Sequence, residues 1–229
     1  MNFPPCQIRP IKDEPSLWRT RLDEPHYSLK SFILMLLPAL ILVAGVGFYG
    51  GFRDEGTYLH YQELRSLHPL VTAIMKAASS YLLFLLYAVY AIVFIHATMK
   101  KNRTGRAFVA RFIFSLIIVL LILSILKVSF GMSRPGIALS SAPFSFNDDF
   151  ASFPSGHTVR IVSAALPLAF YFSRVWISVS MAFVIALVAY SRLWLGMHYP
   201  VDTLGGILVG SLIVFLMFNR LHSSTSFRS

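Results

Sequence analysis

Three short segments hold most of the chemically versatile side chains of this 229-residue chain. The first runs Lys127-Val-Ser-Phe-Gly-Met-Ser-Arg134-Pro135, the second is Pro154-Ser155-Gly156-His157, and the third begins Ser191-Arg192 and continues through His198 to Asp202. Lys127, Arg134 and Arg192 bring charge and forked donors that suit phosphate oxygens, and they repel one another unless an anion lies between them. Ser155 and Gly156 read as a helix start, where unpaired backbone N–H groups and the positive end of the dipole point at the same anion. Gly156 also lets the backbone come close to a ligand. His198 and Asp202 are four residues apart, and Pro200 between them is at ease in a first helical turn, so the two side chains share a face. Asp202 can then hold one imidazole nitrogen while the other attacks phosphorus, and His157 is available to protonate the leaving oxygen. Each piece also has a plainer reading: Lys127 as a snorkelling anchor, Pro-Ser-Gly as an ordinary helix start, Asp202 as a helix cap.

The elements that must position these residues are apolar. Hydrophobic residues make up 56% of the chain and charged ones 13%, about half the charged share usual in a soluble domain. That composition excludes a disordered chain, and a single cysteine, Cys6, excludes a disulfide scaffold. Twenty Lys and Arg face ten Asp and Glu, but the basic residues lie between long apolar runs, so anionic lipid headgroups fit better than nucleic acid. Ser31 to Gly51 is an uncharged run long enough to cross a bilayer, too late and too long for a cleaved signal peptide. Further runs cover 77–99, 107–126, about 156–173, 175–191 and 203–219, which predicts an all-α protein with six transmembrane helices in one bundle over residues 31–219. Residues 1–30, with five prolines and charges of both signs, read as a polar cytoplasmic arm, and 220–229 as a cytoplasmic tail. The stretch 58–70 suggests a helix lying on the outer interface, and 127–157 an irregular loop.

If both termini are cytoplasmic, thirteen Lys and Arg gather on the inner side and six on the outer, in line with the positive-inside bias. The three segments then fall at the outer ends of their helices and meet at one depth on one face. A cluster of three cations, two histidines and a carboxylate at a membrane boundary is costly without a function. Arg160, one turn beyond His157, either faces this cluster or pairs with Asp148 or Asp149. Gly206 and Gly210 read as tight packing within the bundle.

In its motifs the chain resembles the type-2 phosphatidic acid phosphatase superfamily: a Lys, six residues and Arg-Pro; a Pro-Ser-Gly-His; and a Ser-Arg, five residues, His, three residues and Asp, all present in order. The resemblance implies a membrane lipid phosphatase working through a phosphohistidine. His198 would be the nucleophile, Asp202 its orienting partner and His157 the general acid, while Lys127, Arg134, Ser155, Gly156 and Arg192 would bind the phosphoryl group. It implies no metal and no other cofactor, and a single carboxylate at the site agrees with that. The implied partner is a membrane lipid phosphate, either phosphatidylglycerophosphate, undecaprenyl diphosphate, phosphatidic acid or a lipid A phosphate, at the periplasmic face of a bacterial inner membrane. No obligate protein partner is evident. Two rivals stay open, a phosphotransferase discharging phospho-His198 to another hydroxyl and a non-catalytic transporter of phosphorylated lipids.

Overall fold

A computed structural model describes residues 29–219, so the arm expected before them and the tail after them lie outside the described residues. The chain forms α1 (Leu29–Gly50), α2 (Glu55–Leu67), α3 (Pro69–Met99), α4 (Arg103–Phe130), α5 (Gly156–Phe172), α6 (Val175–Trp194) and α7 (Pro200–Asn219). Among the described residues there is no strand, only an isolated bridge between Met132 and Ser141 in the loop before α5. The described residues are all-α, as the sequence predicts.

Five helices, α1, α3, α4, α6 and α7, are long and apolar enough to cross a membrane. The sequence predicts six spans, and α5 is the one that falls short. Its 17 residues rise about 26 Å at the helical pitch, against about 30 Å of hydrocarbon. Yet α5 is the most enclosed helix, with Gly156, Thr158, Val159 and every residue from Ile161 to Phe170 buried. It packs against α7, α6, α4 and α3, while α1 closes over α6 and α7. Burial on α1 follows a helical stripe, Phe32, Met35, Leu36, Ala39 and Val43, and the residues between them are exposed except the half-buried Leu40.

Close packing, not escape from water, must hold apolar helices together in lipid, and small residues at the contacts allow it. A methyl group added at Gly206 would come within 2.9 Å of the Ser155 carbonyl oxygen, and one at Gly210 within 2.9 Å of that of Val159. Both glycines therefore seat α7 directly on the backbone of α5, the role their spacing suggests.

The helix ends differ from the uncharged runs in instructive ways. Helix α3 starts at Pro69, eight residues ahead of the expected run, because a proline is pre-set for a first helical position. Lys76 breaks the uncharged run but not the helix. Helix α4 is capped by Asn102, whose side chain accepts from the Gly105 N–H at 3.1 Å. It continues to Phe130, then stops at Gly131 in a left-handed conformation (φ 51°). Lys127 thus lies in the last turn, where the helix dipole favours a cation.

Candidate active site

Three junctions bring the motif residues together: the end of α4, the start of α5 and the turn from α6 into α7. Beyond α4 the chain folds back on itself. Arg134 donates its backbone N–H to the Asp149 carbonyl and its Nε–H to the Asp148 carbonyl, each at 2.9 Å. Two bonds to backbone fix the stem of the guanidinium and leave the fork free. Arg53, in the turn after α1, braces the same loop by donating to Ser133 Oγ at 3.3 Å and to the Ser140 carbonyl at 3.2 Å.

At the start of α5, the Ser155 N–H donates to the Asp202 carbonyl at 2.9 Å, which ties the second motif to the third. The Ser155 hydroxyl accepts from Thr158 at 3.0 Å and caps no backbone N–H of the first turn. Those N–H groups are left to an external acceptor. A Cβ at Gly156 would lie 3.8 Å from Lys127 Nζ, so the ammonium group sits beside the first residue of the helix.

Between α6 and α7 lie His198 and Asp202, 5% and 0% exposed. His198 Nδ1 is 3.8 Å from Asp202 Oδ2. That same oxygen accepts from the Tyr199 N–H at 2.9 Å and from the Ser152 hydroxyl at 2.5 Å. Asp202, at the third position of α7, thus reaches back to the residue before the helix, half of a capping box. The carboxylate thus makes the helix-cap contact, and His198 Nδ1 lies beside it without a hydrogen bond. Burial holds the His198 imidazole below its usual pKa range, and the neighbouring Asp202 charge opposes that shift. His198 is therefore neutral near pH 7, with its Nδ1 edge toward Asp202.

Arg192 is 8% exposed and donates from Nη1 to Ser79 Oγ of α3 at 2.7 Å. Among the described residues Arg192 Nε, His198 Nδ1 and Asp202 Oδ1 are buried without a hydrogen-bond partner. Such orphaned atoms are rare in interiors; Arg192 Nε is a donor left to a ligand, whereas His198 Nδ1 faces the Asp202 carboxylate. The charges act on one another throughout: Lys127 feels Arg134, Arg160 and Asp202, and His157 feels Arg192, Arg160, His198 and Lys127. A small cleft reaches His198 from the side of α2, lined by Thr57, Tyr58 and Tyr61 with Pro135.

Every motif residue expected from the sequence lies in this cluster. Ser152 and Ser79, which touch Asp202 and Arg192, were not legible as site residues, because their partners lie far away along the chain. Tyr199 is a third, donating its hydroxyl to Glu55 of α2 at 2.8 Å and lying 6.0 Å from the Arg53 guanidinium. The only signal for Ser152 is its place two residues ahead of Pro154.

Known proteins resemble this chain. The undecaprenyl-diphosphatase of Sulfolobus acidocaldarius is 26% identical over 192 residues, covering 80% of this chain and 87% of that one. The undecaprenyl-diphosphatase BcrC of Bacillus subtilis is 39% identical over 69 residues, 30% of this chain and 34% of its own length. The lipid A 1-phosphatase of Rhizobium johnstonii is 32% identical over 110 residues, 44% of this chain and 43% of that one. The last two matches thus span well under half of those relatives. In fold, the chain matches the crystal structure of a transmembrane PAP2-type phosphatidylglycerolphosphate phosphatase from Bacillus subtilis with a TM-score of 0.54 at 21% identity, covering 87% of this chain and 100% of that one. The model of the PAP2 superfamily matches residues 108–226, just over half of the chain, from within α4 through both histidines, and this multi-pass membrane protein belongs to that superfamily.

Proposed function

We propose that the chain is a lipid phosphatase that removes a terminal phosphate from a headgroup at the outer membrane interface, through a phosphohistidine on His198. The observation that carries this reading is the buried His198–Asp202 pair facing a group of cations that have no carboxylate within 4.0 Å among the described residues. Asp202, held by Ser152 and the Tyr199 N–H, turns the Nδ1 edge of His198 toward itself and leaves Nε2 for phosphorus. Lys127, Arg134, Arg192 and the first-turn N–H groups of α5 take the charge that develops on the equatorial oxygens. His157 gives its proton to the leaving oxygen, then accepts one from the water that cleaves the phosphorus–nitrogen bond.

On this reading α5, short as it is, completes a sixth crossing because the segment that leads into it is itself buried, at Ser152, Pro154 and Ser155. Both termini are then cytoplasmic, and the site opens on the periplasmic side of a bacterial inner membrane. Phosphatidylglycerophosphate, phosphatidic acid, undecaprenyl diphosphate and lipid A phosphates all present the group that the motifs bind, and the names of the relatives fall among them.

The test is phosphate release by the purified protein in detergent, with chelator present, across those four lipids. Wild type is expected to release phosphate and to form an acid-labile, base-stable phosphoprotein, while His198→Ala loses at least about a thousandfold in rate and all labelling. A His198→Ala variant with full turnover would end the phosphohistidine reading, and loss of activity with chelator would end its independence of metal.

A further inference from the structure

From Gly156 to Phe170, α5 is buried at every residue but two, His157 and Arg160. Those two residues are about one helical turn apart and lie on one face of the helix. Arg160 Nε donates to the Gly156 carbonyl at 3.0 Å. That bond folds the side chain back toward the start of the helix, the direction helical side chains favour, and keeps the guanidinium at the level of His157. Its charge acts on Lys127, His157 and Arg192, which places it within the site's field. Among the described residues no carboxylate lies within 4.0 Å of it, so the pairing with Asp148 or Asp149 that the sequence left open is not made. Its two Nη groups make no hydrogen bond among the described residues.

A guanidinium inside a helical bundle that gives one N–H to its own helix, and lies among three like charges, is costly. Something must repay it. On the phosphatase reading, Lys127, Arg134 and Arg192 with the first turn of α5 are enough to hold one phosphoryl group. The fourth cation stands next to His157, and an acid must touch the leaving oxygen, so Arg160 stands beside the leaving group. A glycerol or prenyl alcohol offers no anion there. A second phosphate does, and a planar fork matches two of its oxygens.

We propose that Arg160 determines specificity by gripping the phosphate adjacent to the one transferred, so that the substrate class is a lipid diphosphate. This rests on the phosphatase reading above. His198 Nε2 forms a bond to the terminal phosphorus as the bond from that phosphorus to the bridging oxygen breaks. The His157 proton passes to that oxygen, and a lipid monophosphate departs from Arg160. Water then cleaves the phosphorus–nitrogen bond, releasing orthophosphate and restoring His198.

The experiment compares wild type, Arg160→Gln and Arg160→Lys on a prenyl diphosphate and a prenyl monophosphate of the same chain length, reading kcat/KM for each. Wild type is expected to favour the diphosphate, and Arg160→Gln to shrink that preference by roughly ten- to a hundredfold, the worth of charge-assisted hydrogen bonds. Arg160→Lys, which keeps the charge and loses the fork, is expected to fall between. A second readout needs no lipid: inorganic pyrophosphate should inhibit wild type more strongly than orthophosphate, and that ratio should collapse in Arg160→Gln. Equal losses on both lipids with an unchanged inhibitor ratio would overturn the role of Arg160 and leave the phosphatase standing. Wild type inactive on both lipids, with no labelling of His198, would overturn the phosphatase reading and this proposal with it.

Discussion

The two sides of the site are built differently. On the side of the proposed nucleophile, His198, Asp202 is fully buried and takes two hydrogen bonds on one oxygen, while its backbone carbonyl takes a third from Ser155. All three donors come from different points of the chain, so the position of the carboxylate is overdetermined. On the cation side, Lys127, Arg134 and Arg160 are only partly buried, and each keeps donors that nothing in the chain occupies. A nucleophile must be aimed before its substrate arrives, which calls for rigid support. Cations that enclose an anion can adapt to it, and too tight a cage would hold the product. The difference therefore assigns orientation to one side and charge to the other, and substitutions on the two sides should fail in different ways.

The sharpest way to break the comparison is Asp202→Asn. The shape is kept, but the buried charge that orients His198 is gone. A loss on the order of a thousandfold in kcat is expected, as for other nucleophile–base pairs deprived of their carboxylate, with KM little changed. The pH profile gives a second reading. Burial depresses the pKa of His198 and Asp202 raises it. In wild type the neutral, reactive form thus persists below the ordinary histidine value of about 6.5, and the acid limb of kcat/KM due to His198 should lie there. Removing the Asp202 charge lowers that pKa further, so the acid limb of the residual activity should move to lower pH. A limb that moves upward would show that the Asp202 charge does not raise the His198 pKa.

Ser152→Ala tests the same side more gently. It deletes the donor at 2.5 Å from Asp202 Oδ2 but leaves the Tyr199 N–H on that oxygen. About a tenfold fall in kcat is expected, together with some loss of thermal stability, since one buried hydrogen bond to a charged group is worth about 1.5–3 kcal/mol. If Ser152→Ala matched Asp202→Asn in its effect, the carboxylate would depend on a single bond and the support would not be redundant.

Ser152 also shows where sequence reading stops. Lys127, Arg134, His157, Arg192, His198 and Asp202 were legible because their chemistry and local spacing are sufficient: a cation in a last turn, a histidine at a first turn, a histidine and an aspartate four apart. The helices were legible as uncharged runs, and the error at α3 arose where a single Lys76 interrupts a run that Pro69 had already started as a helix. Ser152 and Ser79 have ordinary side chains whose partners are 50 and 113 residues away. Only the packing of α5 on α7 and of α3 on α6 brings them to their places. Arg160 lay between these cases, since spacing put it one turn from His157 but could not decide between the cleft and the loop.

Ser79→Ala probes the cation side at its most buried member, Arg192, and the smallest effect is expected there. Arg192 Nη1 donates to Ser79 Oγ at 2.7 Å, the only hydrogen bond its side chain makes among the described residues. Without the hydroxyl the guanidinium keeps its charge and its place between α3 and α6, but it loses the contact that selects one orientation of the fork. The Ser79 contact aligns the fork for the bound phosphate before and during transfer alike, so its loss should show in KM, with kcat nearly unchanged. A rise of about three- to tenfold in KM is expected, the worth of one neutral acceptor on a charged donor. If kcat fell instead while KM held, Arg192 would be aligned for the transition state alone. The cation side would then be as strictly oriented as the nucleophile it faces, and adaptation to the anion would belong to Lys127, Arg134 and Arg160 only.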